Sequence, residues 1–540
     1  MNDKKNVNKQ DTQKRIFMAM ILSFIFFIAY DFLYMQPQQE YHDQQTQQTS
    51  TSIDGKKAAP QVASSSNSTA APATKTTIAQ DIISTIKTNK NIIQIDSLGR
   101  IAQVELLESQ YIDENGKQIK LFSNDQLRPL EVRFSNRDIN AQAFKVSVVA
   151  SQSNIDATNG VQELVLTQKM SNNTLTKVLK IYPDGHYDVT INVSNGAEFF
   201  VTPGFRPDVI ADMYADHGVL LKMNDGTLTI VEDEDLAKTV NFTGVKFASA
   251  FDRYYTTILY NFHKSLAISL MPDNNESPQI FIHAKDNIEL TGYMGPKNYR
   301  DLSELNKDLT DAIEYGWFTF IAKPMFLMLQ YIHDFVGNWG WTIVLITVLI
   351  KLILYPLAYK GMVSMNRLKE LQPKIKELQD KYKGDPQKSG AKMMEFYKKE
   401  GVNPMGGCLP ILLQIPVFFA IYRVLLNSIE LKGAEWILWI NDLAEMDPYY
   451  VLPILMGATM YIQQLITPNQ IQDEMQKKLF QFLPVIFTFF FLWFPAGLTL
   501  YWFINNLFTV GQQYYVNTLF AKAKVQRHEE HLSHKHTKKD

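Results

Sequence analysis

Cysteine is almost missing from this chain: one, Cys408, stands among 540 residues. An intrachain disulfide framework is therefore excluded, and Cys408 reads as a small buried hydrophobe. A net charge of either sign is missing too, with 53 basic residues against 55 acidic, so overall charge points to no class of partner. The most informative absence is local. Five apolar segments, 339–359, 408–426, 449–466, 479–494 and 498–520, contain no Asp or Glu at all. An ion-coupled transporter carries acidic relay groups inside the membrane, and a channel needs a polar path through both leaflets; neither pattern is present.

What those segments hold instead is one lysine, besides Arg423 near the outer end of the second, where its side chain reaches the headgroups. The run WGWTIVLITVLIKLILYPLAY, residues 339–359, is long enough to span a bilayer and contains Lys351. At ~1.5 Å per helical residue, Lys351 lies ~18 Å from Trp339 and ~12 Å from Tyr359. Its stem reaches only part of the way to an interface, so the cation is embedded. Thr347, Lys351 and Tyr355, four apart, form one stripe on that helix.

At the start of the chain, Lys4, Lys5, Lys9, Lys14 and Arg15 precede an apolar stretch over 16–30. No small-residue cleavage site follows it, which predicts an uncleaved anchor within 1–35, its N-terminus in the cytoplasm. Residues 36–88, with QQTQQTSTS and ASSSNSTAAPATKTT, are too poor in large apolar groups for a core and predict a flexible tether. Over 89–300 the texture becomes short alternating runs (NIIQID, AQVELLE, FKVSVV, ELVLTQ, TKVLKIY, YDVTINV, TLTIV, QIFIHA, IELTGY) separated by turns such as ENG, PDG and NDG. These predict one large antiparallel β-sandwich. Within it, Asp184, His186 and Asp188 of YPDGHYD read either as a hairpin turn or as a metal or acid/base cluster.

Residues 301–338 turn helical, and Trp317, Phe318, Phe320 and Phe326 predict an amphipathic helix along the membrane interface. Residues 360–407 predict a cytoplasmic helical hairpin broken at GDP; 408–520 supplies four more spans, and 521–540 a basic cytoplasmic tail. The fold class is thus an α+β membrane protein with six transmembrane helices and a large external β-domain. Charge supports that orientation: 360–407 has five more basic than acidic residues, whereas 427–448 sets Lys432 against Glu430, Glu435, Asp442, Glu445 and Asp447. In the cytoplasmic half then lie Lys351, Gln414, Gln463, Gln464, Gln512 and Gln513, with Asn505 and Asn506 near mid-depth. This one-sided distribution predicts a hydrated site open to the cytoplasm, where an unpaired cation attracts acidic groups on an arriving polypeptide.

The segments GNWGWTIVLIT, NPMGGCLPILLQIPVFFAIY, DPYYVLPILMGATM and LPVIFTFFFLWFPAGLTLYW closely resemble the YidC membrane protein insertases of Gram-negative bacteria. The resemblance implies a periplasmic β-supersandwich and a five-helix core, beside the N-terminal anchor, enclosing a hydrophilic groove open to cytosol and lipid. It also implies an activity, insertion and folding of membrane proteins, alone or with the Sec translocon, in the bacterial inner membrane. By motif, Lys351 takes the place of a groove cation that is arginine in many relatives, Thr347 matches a groove threonine, and Trp502 falls where many have tyrosine. Ile415, Pro416, Phe418, Met456 and Phe490 match positions lining the path of a client helix. The hairpin matches a loop implicated in receiving clients from targeting factors, so the ribosome and the signal-recognition-particle receptor join the expected partners. Neither a cofactor nor enzymatic chemistry is implied. Two other readings stay open: a transporter or channel with a periplasmic binding domain, and a carbohydrate-directed periplasmic module.

Overall fold

The computed structural model describes residues 81–113, 115–123, 126–209, 217–382, 385–402, 409–467 and 474–537. The expected N-terminal anchor, the tether as far as residue 80, and Cys408 lie outside them. The chain parts into two compact units between Ile313 and Glu314.

In the first unit, alternation builds strands as expected. Along Thr174–Ile181, Leu175, Lys177, Leu179 and Ile181 turn inward. Thirteen strands form one antiparallel sheet, and its longest member, Val240–Phe251, pairs with Gly218–Met223, Tyr255–Tyr260 and Leu266–Pro272. All six residues of Tyr255–Tyr260 are buried, so both faces of the sheet are covered there. Four further strands make a second sheet, in which Ile82–Lys87 pairs in parallel with Asn154–Asp156, a departure from the all-antiparallel expectation. FKVSVV also departs. Asn136 accepts from the Asp138 and Ile139 amides through its side chain, starting helix α1, Arg137–Ala143, and residues 144–148 are the turns that follow rather than a strand. YPDGHYD is a hairpin turn joining Thr174–Ile181 to Tyr187–Val193. Gly185 adopts φ +89° and donates to the Tyr182 carbonyl (3.0 Å), while Tyr182 and Thr291 donate to the Asp188 carboxylate. Among the described residues no group of three or more metal-ligating side chains comes together.

The first unit buries charge that alternation alone does not announce. Arg100 bridges Asp96 (2.8 Å) and Glu131 (2.9 Å), and Arg133 meets the other Glu131 oxygen at 2.9 Å. Beside them the Lys177 ammonium donates to the Gly99 and Leu130 carbonyls, each at 2.7 Å, and burial pulls it down to about 7.

Asp252 sits in the turn after Val240–Phe251. One carboxylate oxygen accepts from the Tyr254 and Tyr255 amides, and the other has no partner among the described residues. Burial raises its carboxyl to about 6 against the opposing amides and Lys297. Below pH 3.8 both folded and unfolded chains hold this proton; as pH climbs toward 6 only the unfolded chain releases it, so stability falls through that window. Above it the buried carboxylate costs about 3 kcal/mol. Asp252→Asn is therefore expected to gain stability relative to the native chain between pH 4 and 6.5. Urea titrations at both pH values measure it, and a constant difference would refute the assignment.

The second unit is helical. After α2, Tyr299–Leu305, at the end of the first unit, it begins with α3, Thr319–Val336, whose exposed Phe320, Tyr331 and Phe335 oppose buried Met325, Phe326 and Leu329. The expected interfacial helix over 301–338 is thus several helical pieces. Its amphipathic part starts at Thr319, and Phe326 belongs to the packed face, while the side chain of Trp317 lies outside the described set. Helix α4, Trp339–Lys381, does not stop at Tyr359; the expected span and the first hairpin arm are one rod of 43 residues. The second arm, α5, Pro386–Lys399, folds back antiparallel, with Lys374 at 3.7 Å from Glu400 and Gln379 against Met393. Then come α6, Leu409–Asn427, α7, Val451–Ile466, α8, Glu474–Phe490, and α9, Ala496–Thr537, which likewise runs on past Phe520. By length and composition α4 can cross a membrane, and shorter apolar stretches lie at Gln414–Asn427, Val451–Ile466 and Lys478–Trp493.

Helices α7 and α8 touch where Gly457 leaves room: a Cβ there would stand 1.8 Å from Thr488 Oγ1. Gly457→Leu is expected to force the pair apart at a cost of about 2–3 kcal/mol, read as a lower melting temperature in detergent. Thr488→Gly in the same chain should recover part of the loss; no recovery would mean that the clash lies elsewhere.

Candidate functional site: a cation among three helices

Asn338 starts α4 by accepting from the Trp341 amide (3.0 Å) and fastens that end through its amide to the Glu435 carbonyl, also at 3.0 Å. Three turns on, the stripe reaches its polar members. Thr347 is buried with its hydroxyl returned to the Ile343 carbonyl at 2.6 Å, so it packs the helix and offers no free donor. Lys351, partly exposed, donates to Thr509 Oγ1 of α9 at 2.8 Å. Thr509 in turn donates to the Asn505 carbonyl (2.8 Å), and the Asn505 side chain accepts from Gln414 of α6 at 3.4 Å. One chain of contacts thus joins α4, α9 and α6. An ammonium has three protons and Thr509 takes one; among the described residues no carboxylate pairs with Lys351. Next to Asn505, Asn506 is 5% exposed and its amide nitrogen has no acceptor among the described residues.

The other expected residues divide. Trp502 sits among Phe418 (ring centroids 4.6 Å), Phe491 (5.0 Å) and Phe487 (5.9 Å), which makes it part of an aromatic wall shared by α6, α8 and α9. Gln464 donates to the Phe480 carbonyl and so ties α7 to α8 without joining the lysine; Gln463, partly buried, joins neither. Of the residues expected along a client path, Ile415 and Phe490 are outward, 39% and 58% exposed, Pro416 and Phe418 are partly buried, and Met456 is wholly core.

Sequence reasoning missed Thr509, although it stands one turn from Asn505, and a second polar knot at the far end of the same helices. There Asn517 accepts from Asn366 of α4 (2.9 Å) and Gln513 (2.8 Å) and donates to the Ile466 carbonyl that ends α7 (3.0 Å). The i,i+4 spacing of Gln513 and Asn517 is the signal that reveals it.

Residues 84–328 match the family model described as "YidC periplasmic domain", and residues 331–524 match "60Kd inner membrane protein". A Campylobacter jejuni protein named membrane protein insertase YidC is 48% identical over 97% of this chain and 98% of its own length; a Helicobacter pylori protein of the same name is 42% identical over 96% and 98%. A solved structure described as an active YidC insertase aligns at a TM-score of 0.35 and 18% identity over 82% of this chain and 96% of that one, too slight a likeness to add weight. With relatives this similar along nearly its whole length, and both halves matched to family models, the chain belongs to the YidC family of membrane protein insertases.

Proposed function

We propose that this protein inserts membrane proteins into the bacterial inner membrane and helps them fold, and that the cation at Lys351 receives the hydrophilic segment of the client. The observation that carries this reading is the lysine itself: an intramembrane ammonium fixed by Thr509 with no carboxylate partner among the described residues. Such a cation lowers the cost of bringing acidic and polar groups into the apolar layer, because a buried charge finds its counter-charge there. Lys351, Gln414 and Asn505 form the polar wall of a groove facing the cytoplasm, with Trp502 on its aromatic side, and Thr347 and Gln464, with Gln463 next to it, hold the helices behind it. The client's apolar helix leaves past outward Ile415 and Phe490, with Pro416 and Phe418 beside them and Met456 packed in the core behind, its exit driven by burial in lipid at ~25 cal/mol per Å². The membrane potential adds ~2.3 kcal/mol per client charge per 100 mV.

The finer architecture belongs to the same proposal: six spans with both termini cytoplasmic, the first unit a periplasmic supersandwich, and the α4–α5 hairpin in the cytoplasm. The protein acts without enzymatic chemistry on nascent membrane proteins, alone or beside the Sec translocon, with the ribosome and the signal-recognition-particle receptor as delivery partners at the basic hairpin. Reconstitution into liposomes with a small single-span client tests it. The expected result is protease protection of the client, with crosslinks from Ile415 and Phe490 to an arrested client. Uptake of a small solute without client protection would favour a transporter and overturn the insertase reading; silence at both crosslinking positions would overturn the exit path.

A further inference from the structure

Leu438 breaks two rules of soluble surfaces at once. It occupies the second position of a turn closed by the Ile440 amide donating to the Ile437 carbonyl at 3.1 Å, with φ at +56°, in the left-handed region where a branched apolar residue is strained. Its side chain is nonetheless 80% exposed, and that of Ile437 beside it is exposed as well. A left-handed turn position held by leucine rather than glycine or asparagine points to a use for the side chain.

The turn is held on a rigid base. The Trp436 amide donates to the Ile440 carbonyl (2.9 Å), and the Trp436 ring lies so close to Gly340 that a Cβ there would come within 2.2 Å of it. Trp341 meets Trp436 edge to face at 5.8 Å. Trp439 donates to buried Asp447 at 2.9 Å, a carboxylate that also accepts from the Tyr449 and Leu452 amides. Two aliphatic side chains are thereby presented beside the first turn of α4. From that turn an outward apolar row, Trp341, Leu345, Leu349 and Leu352, runs along the helix at spacings of four, four and three. The turn meets that row through Trp436, which precedes Ile437 and packs on Trp341 at the head of the row. Around it stand exposed Tyr449 and Tyr450, residues that favour a membrane interface.

We propose that the turn at residues 437–440 is a membrane anchor, its Leu438 and Ile437 side chains seated among lipid chains at the headgroup boundary of the leaflet at the Trp339 end of α4. Lipid is the occupant because the surface is aliphatic and adjoins the α4 row through the Trp436–Trp341 contact. The inference rests on the membrane-spanning reading of α4 and adds to it a contact outside the helices. Fixed at that depth, the turn sets the height of α4 in the bilayer and hence that of Lys351, about ten residues, or ~15 Å, further along from Trp341.

The test uses the full-length chain with Cys408→Ala, so that an introduced cysteine carries the only dye. A nitrobenzoxadiazole label is placed at Leu438→Cys and the protein reconstituted in phosphatidylethanolamine–phosphatidylglycerol vesicles. The expected result is blue-shifted emission, quenching by shallow doxyl lipid at least twofold stronger than by deep doxyl lipid, and protection from aqueous iodide. Emission and iodide quenching matching a label at exposed Lys264→Cys would overturn the anchor, as would protection that appears only when a client is bound. A label at Leu345→Cys separates the two levels: lipid quenching at 345 without quenching at 438 refutes the anchor alone, and no quenching at 345 refutes the spanning helix. Ile437→Cys replaces Leu438→Cys if the latter fails to fold.

Discussion

Lys351→Glu lowers insertion of a client with acidic external residues by ten- to a hundredfold, while Lys351→Arg stays within about threefold of the native protein. The size follows from Coulomb's law: two unit charges ~6 Å apart at an effective dielectric of ~20 interact by about 3 kcal/mol. Reversal turns attraction into repulsion, and if half or more of a single interaction is felt at the insertion barrier, the rate changes by ten- to a hundredfold. Arginine keeps the charge and a donor for Thr509 Oγ1, now 2.8 Å from the lysine nitrogen, but spreads its protons over a planar fork. A client stripped of acidic residues should be inserted by both variants within twofold of the native rate. Initial rates of protease protection in liposomes decide the matter, and equal insertion of the acidic client by the Glu and Arg variants would remove the electrostatic role.

In the first unit the largest expected loss comes from Arg100→Met. The change leaves Asp96 buried without the guanidinium that now sits 2.8 Å away, while Glu131 loses its 2.9 Å contact and keeps Arg133. Breaking a buried pair by removing one partner costs about 3–5 kcal/mol, because the remaining charge is uncompensated. For a unit of this size that lowers the melting temperature by roughly 6–20 °C. Lys120→Ala is the comparison: its contact to Glu105, 3.5 Å long, is largely exposed and contributes less than about 1 kcal/mol. Calorimetry of the full-length protein in detergent reads both. Equal shifts would mean that the buried cluster carries no stability.

Residues read by period were legible, and residues read by partner were not. Alternation placed Thr174–Ile181 and Tyr187–Val193 as strands, and apolar length placed the start of α4 at Trp339. Periodicity puts Lys177 in the inward row between Leu175 and Leu179 but cannot say what receives its charge, because its acceptors, Gly99 and Leu130, lie 78 and 47 residues away. It misread 144–148 because a side-chain cap at Asn136 commits the chain to a helix just upstream, and caps act through one or two bonds that leave no period. It ended α4 at Tyr359 because composition changes there, whereas the backbone ladder continues whether the residues face lipid or water. At the site, depth counting found Lys351, Gln414 and Asn505 and missed Thr509, a residue type common on any helix. Only proximity distinguishes it.

The unbroken α4 has a mechanical consequence. Pro356 lies inside the rod, and without an amide proton it leaves the Leu352 carbonyl without its helical donor, the usual place for a helix to flex. Lys351 lies about five residues, ~7.5 Å, on one side of this pivot, and the end of the arm at Lys381 lies ~37 Å on the other. The two lengths stand in a ratio of about five to one. A sideways swing of ~5 Å at the far tip, the scale of one helical turn, would carry the cation about 1 Å the opposite way. The rod carries a second proline, Pro373, which opens the Lys369 carbonyl in the same way, so two such points, not one, stand between a load on the tip and the grip of Thr509 on the ammonium.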